Sequence, residues 1–239
     1  MTTTTGSGTR IDEIHDGLFR ISTPTATVPG GFTFNQYLIR DEKPLLFHTG
    51  PRALFGQVRD AIAKVMRPED LRYVAFSHIE SDECGSLNQF LALAAQASPL
   101  CGEIAALVSV SDLADRPPVA MADGKTLSLG EHSVRWFDAP HVPHGWECGY
   151  LMDDTAGVLL CGDLFTQAGA EHPPVTRSEV VEPSEAMRQK MNYFARGPDT
   201  PRVLERLAAT SPKLLACMHG AAFRGDGASA LRELASRLA

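Results

Sequence analysis

Residues 77–85 read SHIESDECG, so a histidine and three carboxylates, His78, Glu80, Asp82 and Glu83, stand directly after the apolar run YVAF. A solvated turn collects acids but has no need of a histidine. A metal site wants both, because imidazole nitrogen and carboxylate oxygen together suit iron, manganese or zinc. Three more apolar runs end in the same way: VRWF leads to His141 and His144, GVLLC to Asp163, and LLACM to His219. Rigid sheets present sites on the loops at their strand ends. Incidental turn polarity would explain one such end, not four.

Ligand type narrows the metal further. The cysteine-rich set that closes a structural zinc tetrahedron is missing from the sequence. Three histidines and three carboxylates can hold two divalent ions with one carboxylate shared between them, and two such cations balance the charge.

The elements that must position these groups follow from periodicity. Residues 32–48, FTFNQYLIRDEKPLLFH, read as two strands joined by the polar turn RDEKP. Leu54, Val58, Ile62 and Val65 recur at helical spacing within PRALFGQVRDAIAKVM. RYVAF is a short buried strand delivering the chain to His78, and SLNQFLALAAQA a helix with Ser86 near its start. TLSLGEHSVRWFDA predicts a hairpin turning at Gly130, and CGYLMDDTAGVLLCGD another near Thr155–Gly157. In the last third, Ser184 is the expected cap of EAMRQKMNYFA, Thr200 with Pro201 opens a helix, and ASALRELASRL closes the chain. Hairpins alternating with helices favour an α/β sandwich over a purely parallel sheet.

Composition removes whole classes of function. The 239 residues are 44% hydrophobic and 21% charged, ordinary for a globular protein. A formal net charge of −7 with no basic run gives no support for nucleic-acid binding. No apolar stretch approaches the roughly 18 residues of a membrane span. Residues 1–10, MTTTTGSGTR, read as a flexible tail rather than a signal peptide. Five cysteines without a C-x-x-C pair suggest reduced thiols and a cytoplasmic setting.

Taken together, these motifs resemble the metallo-β-lactamase superfamily and, within it, the diiron branch of the flavodiiron proteins. H-x-E-x-D at His78–Asp82 is similar to that branch's form of the superfamily motif H-x-H-x-D-H. DGKTLSLGEHSVRWF resembles the family hairpin, TFNQYLIRDEKPLLFHTG its first strands, GDLFTQ the stretch NDAFGQ, and HGAAFR the pattern H-G-x-x-[WF]-R. The resemblance implies a four-layer αββα sandwich, one domain over residues 11–239, with two non-haem irons. It implies His78, Glu80 and His144 on one iron, Asp82 and His219 on the other, and Asp163 as the bridge. Zinc hydrolases of the superfamily usually keep histidine where this chain has Glu80. A hard anionic oxygen there favours iron, with zinc or manganese the other metals such a set accepts.

Three positions depart from the pattern. Glu83 stands where the motif usually has a histidine, and reads as a ligand, a hydrogen-bond acceptor or a solvated turn acid. HVPHGW offers two histidines for one place. His144 fits the spacing to Asp163, while His141 better matches the H-x-P wording and is otherwise a group beside the pocket. His48 replaces the aspartate common in DTG and reads as a structural histidine.

Flavodiiron relatives carry a following flavodoxin-like domain whose FMN feeds the irons. This chain ends at Ala239, soon after His219, so the expectation is no FMN site and electrons from a separate reductase. The function implied is a diiron protein that binds or reduces O2 or NO, as a sensor with a signalling partner or as a reductase. The alternative is a dinuclear hydrolase whose bridging water, acidified by two metals, attacks an ester, thioester or lactam. Catalytic groups beyond the ligands stay unassigned, and a homo-oligomer stays open.

Overall fold

Two-residue alternation along the strands sorts their side chains into separate cores. In the strand Gly149–Asp153, Leu151 faces a core between two sheets, whereas Tyr150 and Met152 face helices on the far side. In Phe32–Ile39, Tyr37 and Ile39 point into that same inter-sheet core, and Leu38 points outward. Each sheet is therefore covered on both faces. The result is a four-layer arrangement of helices, sheet, sheet and helices, as the sequence led one to expect. The computed structural model describes residues 2–4, 8–195 and 197–238.

The first sheet holds β1 (Thr2–Thr4), β2 (Arg10–His15), β3 (Leu18–Thr25), β4 (Phe32–Ile39), β5 (Leu45–Phe47), β6 (Tyr73–Ala75), β7 (Ser98–Gly102) and β8 (Val119–Met121), side by side in chain order. β1 to β5 pair antiparallel, and β5 to β8 run parallel. Helices α1 (Phe55–Ile62), α2 (Ser81–Cys84) and α3 (Leu87–Leu93) fall between the parallel strands, as parallel crossovers require. Irregular helical turns over residues 103–113 follow β7.

The second sheet contains β9 (Thr126–Ser128), β10 (Ser133–Asp138), β11 (Gly149–Asp153), β12 (Val158–Leu160), β13 (Val175–Thr176), β14 (Leu214–Ala216) and β15 (Ala222–Arg224). Its order is β13-β15-β14-β12-β11-β10-β9. Its outer face is covered by α4 (Val181–Met191), α5 (Thr200–Ala209) and α6 (Gly227–Leu238). On α5, Val203, Leu204, Leu207 and Ala208 are buried, the stripe an amphipathic helix presents to a sheet.

Several expectations need correction. Within the tail expected at residues 1–10, Thr2–Thr4 pair with Arg10–Asp12, so the sheet already begins there; Met1 and residues 5–7 lie outside the described residues. The helix expected over residues 51–66 occupies only Phe55–Ile62, after one tighter turn at Arg52–Leu54. α4 starts three residues before Ser184, whose hydroxyl is buried and donates to the Val181 carbonyl. Glu179 caps this helix instead, accepting from the Glu182 amide at 2.9 Å. Among the described residues no helix is long and apolar enough to cross a membrane.

Candidate metal centre

The candidate ligands leave the ends of four strands at one edge of the sandwich. β12 and β14 are parallel neighbours, with Leu160 opposite Ala216, so the chains running on to Asp163 and His219 emerge side by side. β6 delivers His78 from the opposing sheet. Gly162 lets the loops meet: with φ +47°, a Cβ there would lie 2.7 Å from the Ser77 hydroxyl.

His78, Glu80, His144 and Asp163 each offer a ligand atom, all within 4.8 Å of one another. His78 Nε2 is 3.0 Å and His144 Nε2 3.1 Å from Glu80 Oε2. The same two nitrogens lie 3.8 and 3.7 Å from Asp163 Oδ2. The other oxygen, Asp163 Oδ1, is 3.2 Å from His219 Nε2, which in turn is 3.5 Å from Asp82 Oδ2. Asp163 thus turns one oxygen to each group of ligands. Oδ1 is buried without a hydrogen-bond partner, an arrangement a cation would satisfy. Nitrogen and hard oxygen donors fit iron, manganese or zinc.

All three histidines turn Nε2 inward, because Nδ1 is occupied behind. His144 Nδ1 donates to the Tyr193 carbonyl at 2.9 Å, and His219 Nδ1 donates to the Thr33 carbonyl at 2.7 Å. Behind His78 lie the Ser77 hydroxyl at 3.0 Å and Glu83 Oε1 at 3.3 Å. Such backing orients metal-binding imidazoles.

The charges in this cluster act strongly on one another. Burial alone would lower His78 and His219, but nearby carboxylates outweigh it: Glu83 chiefly lifts His78, while Asp163 and Asp82 lift His219 to about 10. His144 is raised mainly by its bond to Glu80. Glu80 is held well below the usual carboxylate range by bonds from His144 and His78. Asp163 is lowered as well, because His219, His78 and His144 overcome the effect of its burial. Burial pushes Glu83 up to about 7 and His48 down to about 3.

The cleft holds about 90 Å³, walled by Phe32, Thr166, Met191 and Tyr193 around the ligands. Phe32 stacks on His219 with ring centroids 4.2 Å apart. Tyr193 donates to the Asp163 carbonyl at 3.2 Å, and burial raises its phenol so that it keeps its proton. These walls come from the start of β4, the loop after β12, and the end of α4 with the residues after it. A wider groove of about 760 Å³ runs along the other side of Glu80, past Arg52, Leu87 and Leu113.

The remaining candidates stand elsewhere. His141 is exposed and outside the cluster, whereas His144 is in it. Glu83 is fully buried behind His78 and does not line the cleft, so the turn-acid reading is wrong. His172 is a loop residue whose ring faces the Ala168 and Gly169 carbonyls. All five cysteines are free and buried, and burial pushes Cys84 up to about 12. Ser77, missed as a functional candidate, had one visible signal: a hydroxyl placed directly before a histidine.

A family model described as ODP family beta lactamase matches residues 32–220. The chain is 29% identical over 209 residues to rubredoxin-oxygen oxidoreductase of Megalodesulfovibrio gigas, covering 82% of this chain and 50% of that protein. It is 26% identical over 174 residues to nitric oxide reductase of Moorella thermoacetica, covering 72% and 43%. The solved structure of rubredoxin oxygen:oxidoreductase from Desulfovibrio gigas superposes with a TM-score of 0.83 at 25% identity, over 95% of this chain and 61% of that one. The chain spans about half the length of the curated relatives it matches.

Proposed function

We propose, from the premise that the chain belongs to the ODP family of beta-lactamase-fold proteins, that it binds two non-haem irons and reacts with O2 or NO using electrons from a separate donor. The observation that carries this reading is Asp163, whose two oxygens face two separate ligand groups. His78, Glu80 and His144 would hold one iron, Asp82 and His219 the other, and Asp163 would lie between them. Bound ferrous ions would supply the electrons and Lewis acidity that reduction of a diatomic ligand needs.

The chain's own residues do the rest. Glu80 adds a hard anionic donor that favours iron. Phe32, Met191 and Tyr193 narrow the cleft to about 90 Å³, far below the roughly 300 Å³ at which drug-sized ligand pockets begin. A diatomic ligand suits that space better than an ester or lactam. The matched relatives are named for oxygen and nitric oxide chemistry, so the hydrolytic alternative is not favoured. The partner would be a separate reductase that donates electrons or, for a sensor, a signalling protein, and free buried thiols suit a reducing compartment such as the cytoplasm.

The test is single-turnover mixing of anaerobic, ferrous-loaded protein with O2 or NO. The expected result is a rapid new absorption band with iron and none with zinc. Hydrolysis of acyl or lactam substrates by the zinc form under argon, with no response from the iron form, would contradict the proposal.

A further inference from the structure

The backing of His78 differs in kind from that of the other two histidines. His144 and His219 are each held by a backbone carbonyl, whereas His78 is backed by the Ser77 and Glu83 side chains of its own loop, with the Cys148 thiol beside the ring. Glu83 is 0% exposed although it is a carboxylate. Its Oε2 accepts from the backbone N–H groups of Ser77 and His78 at 2.8 and 2.9 Å. The Ser77 hydroxyl donates to the same carboxylate, 2.6 Å from Oε1 and 2.7 Å from Oε2. His48 Nε2, also fully buried, lies 3.4 Å from Oε1.

Proton counting then settles the ring. A serine hydroxyl has one hydrogen, and here it points to Glu83. The Ser77 oxygen can therefore only accept from His78 Nδ1, which must carry the ring hydrogen. When a metal displaces the Nε2 proton that faces Glu80, the hydrogen left on the ring is the one on Nδ1, and Nε2 is the nitrogen that binds.

We infer that Glu83, acting through Ser77, is a positioning residue that fixes His78 as its Nδ1–H tautomer and so presents Nε2 to the metal. This inference rests on the metal-site reading proposed above. Glu83 itself does not line the cleft. Its place behind the ligand explains why a carboxylate can replace the histidine of the resembled motif without adding a further anionic ligand to the cleft. His48 flanks the same carboxylate, so two of the three departures from the pattern meet in one contact.

The substitution Glu83→Gln keeps the shape but turns one acceptor into an amide donor. With the amide nitrogen at the Oε1 position, the Ser77 hydroxyl is free to turn towards His78 Nδ1 and favour the wrong tautomer. The probe is Co(II), titrated into the metal-free full-length chain and followed by ligand-field absorption and by the hyperfine-shifted, exchangeable ring N–H signals in proton NMR. Wild type should take up two Co(II), with a slowly exchanging N–H signal from His78. Glu83→Gln should bind the first Co(II) about 10–100-fold more weakly, the usual effect of losing a ligand's backing group. Its His78 signal should shift or vanish, while the signals from His144 and His219 persist.

Ser77→Ala provides a second test should Glu83→Gln fail to fold. It should give a smaller loss with the same selective change at His78. Wild-type affinity together with an unchanged His78 signal, in whichever variant folds, would overturn the inference while leaving the metal site standing. Absence of ligand bands and shifted signals in wild type would instead bring down the metal-site reading, and the inference with it.

Discussion

The loops carrying His78 and His219 reach one cleft from opposite sheets, yet they are held in opposite ways. The His78 loop is organised from within: Glu83, five residues on, gathers the Ser77 and His78 amides and the Ser77 hydroxyl, with outside support where the Ile79 amide donates to Glu147 at 3.1 Å and the Thr49 amide to the Glu83 carbonyl at 2.7 Å. The His219 loop is held from across the sandwich by β3 and β4. Asn35 donates to the Cys217 and Gly220 carbonyls at 2.9 and 2.8 Å. Tyr37 donates to Cys217 at 2.7 Å, Arg20 to Gly220 at 2.7 Å, and Thr33 accepts from the Gly220 amide at 2.8 Å. One half of the site is thus organised mainly around a short stretch of sequence. The other exists only once the two sheets have packed.

Asp163 joins the two halves, so its loss should have the largest effect. In Asp163→Ala, metal content should fall from two ions per chain to one or fewer by elemental analysis. Retention of two would remove Asp163 as the bridge.

Proton competition comes next. His78, His144 and His219 are all raised in the metal-free protein, His219 to about 10, so a metal must compete with protons for these nitrogens. Apparent affinity should therefore rise with pH, by about tenfold per pH unit for each proton released. The stability of the metal-free protein moves the other way. The contribution of His219 is fully present below its unfolded value of about 6.5 and is lost as pH rises through about 10. Metal titrations and melts at several pH values separate the two trends.

Thr33→Val probes the cross-sheet half alone. It removes the acceptor for the buried Gly220 amide and should cost about 1–3 kcal/mol in chemical denaturation. It should weaken the metal on the His219 side while leaving the His78 side unchanged. Equal weakening of both would mean that the halves are not independently held.

Glu80→His acts on selectivity, and its effect should be smallest. Replacing a hard oxygen with imidazole should move the preference from iron towards zinc by about tenfold, measured by competition between the two metals. An unchanged preference would mean that Glu80 does not set the choice of metal.

The same contrast governs what was legible in the sequence. His78, Glu80 and Asp82 stand in one short motif directly after a strand, and Asp163 and His219 follow apolar runs that read plainly as strand ends. β4, β5 and the hairpins on either side of Gly130 and Gly157 were equally visible, because alternation and turn residues are local signals. β2, β3, β7 and β8 gave no comparable signal. Both faces of β3 are buried, and the face it shares with Leu18 carries Arg20 and Ser22, polar residues that disguise a core strand. Arg20 belongs to the cross-sheet hold on the His219 loop, so a feature that hid the strand also serves the site. Glu83 misled for a related reason: an acid in an acidic stretch reads as solvated until the fold buries it.

The most direct test of the central claim, two metals flanking Asp163, is anomalous diffraction at the iron edge from crystals of ferrous-loaded protein. The account predicts two iron peaks, one beside His78, Glu80 and His144 and the other beside Asp82 and His219, both in contact with Asp163. A single peak, or iron bound away from these side chains, would contradict it.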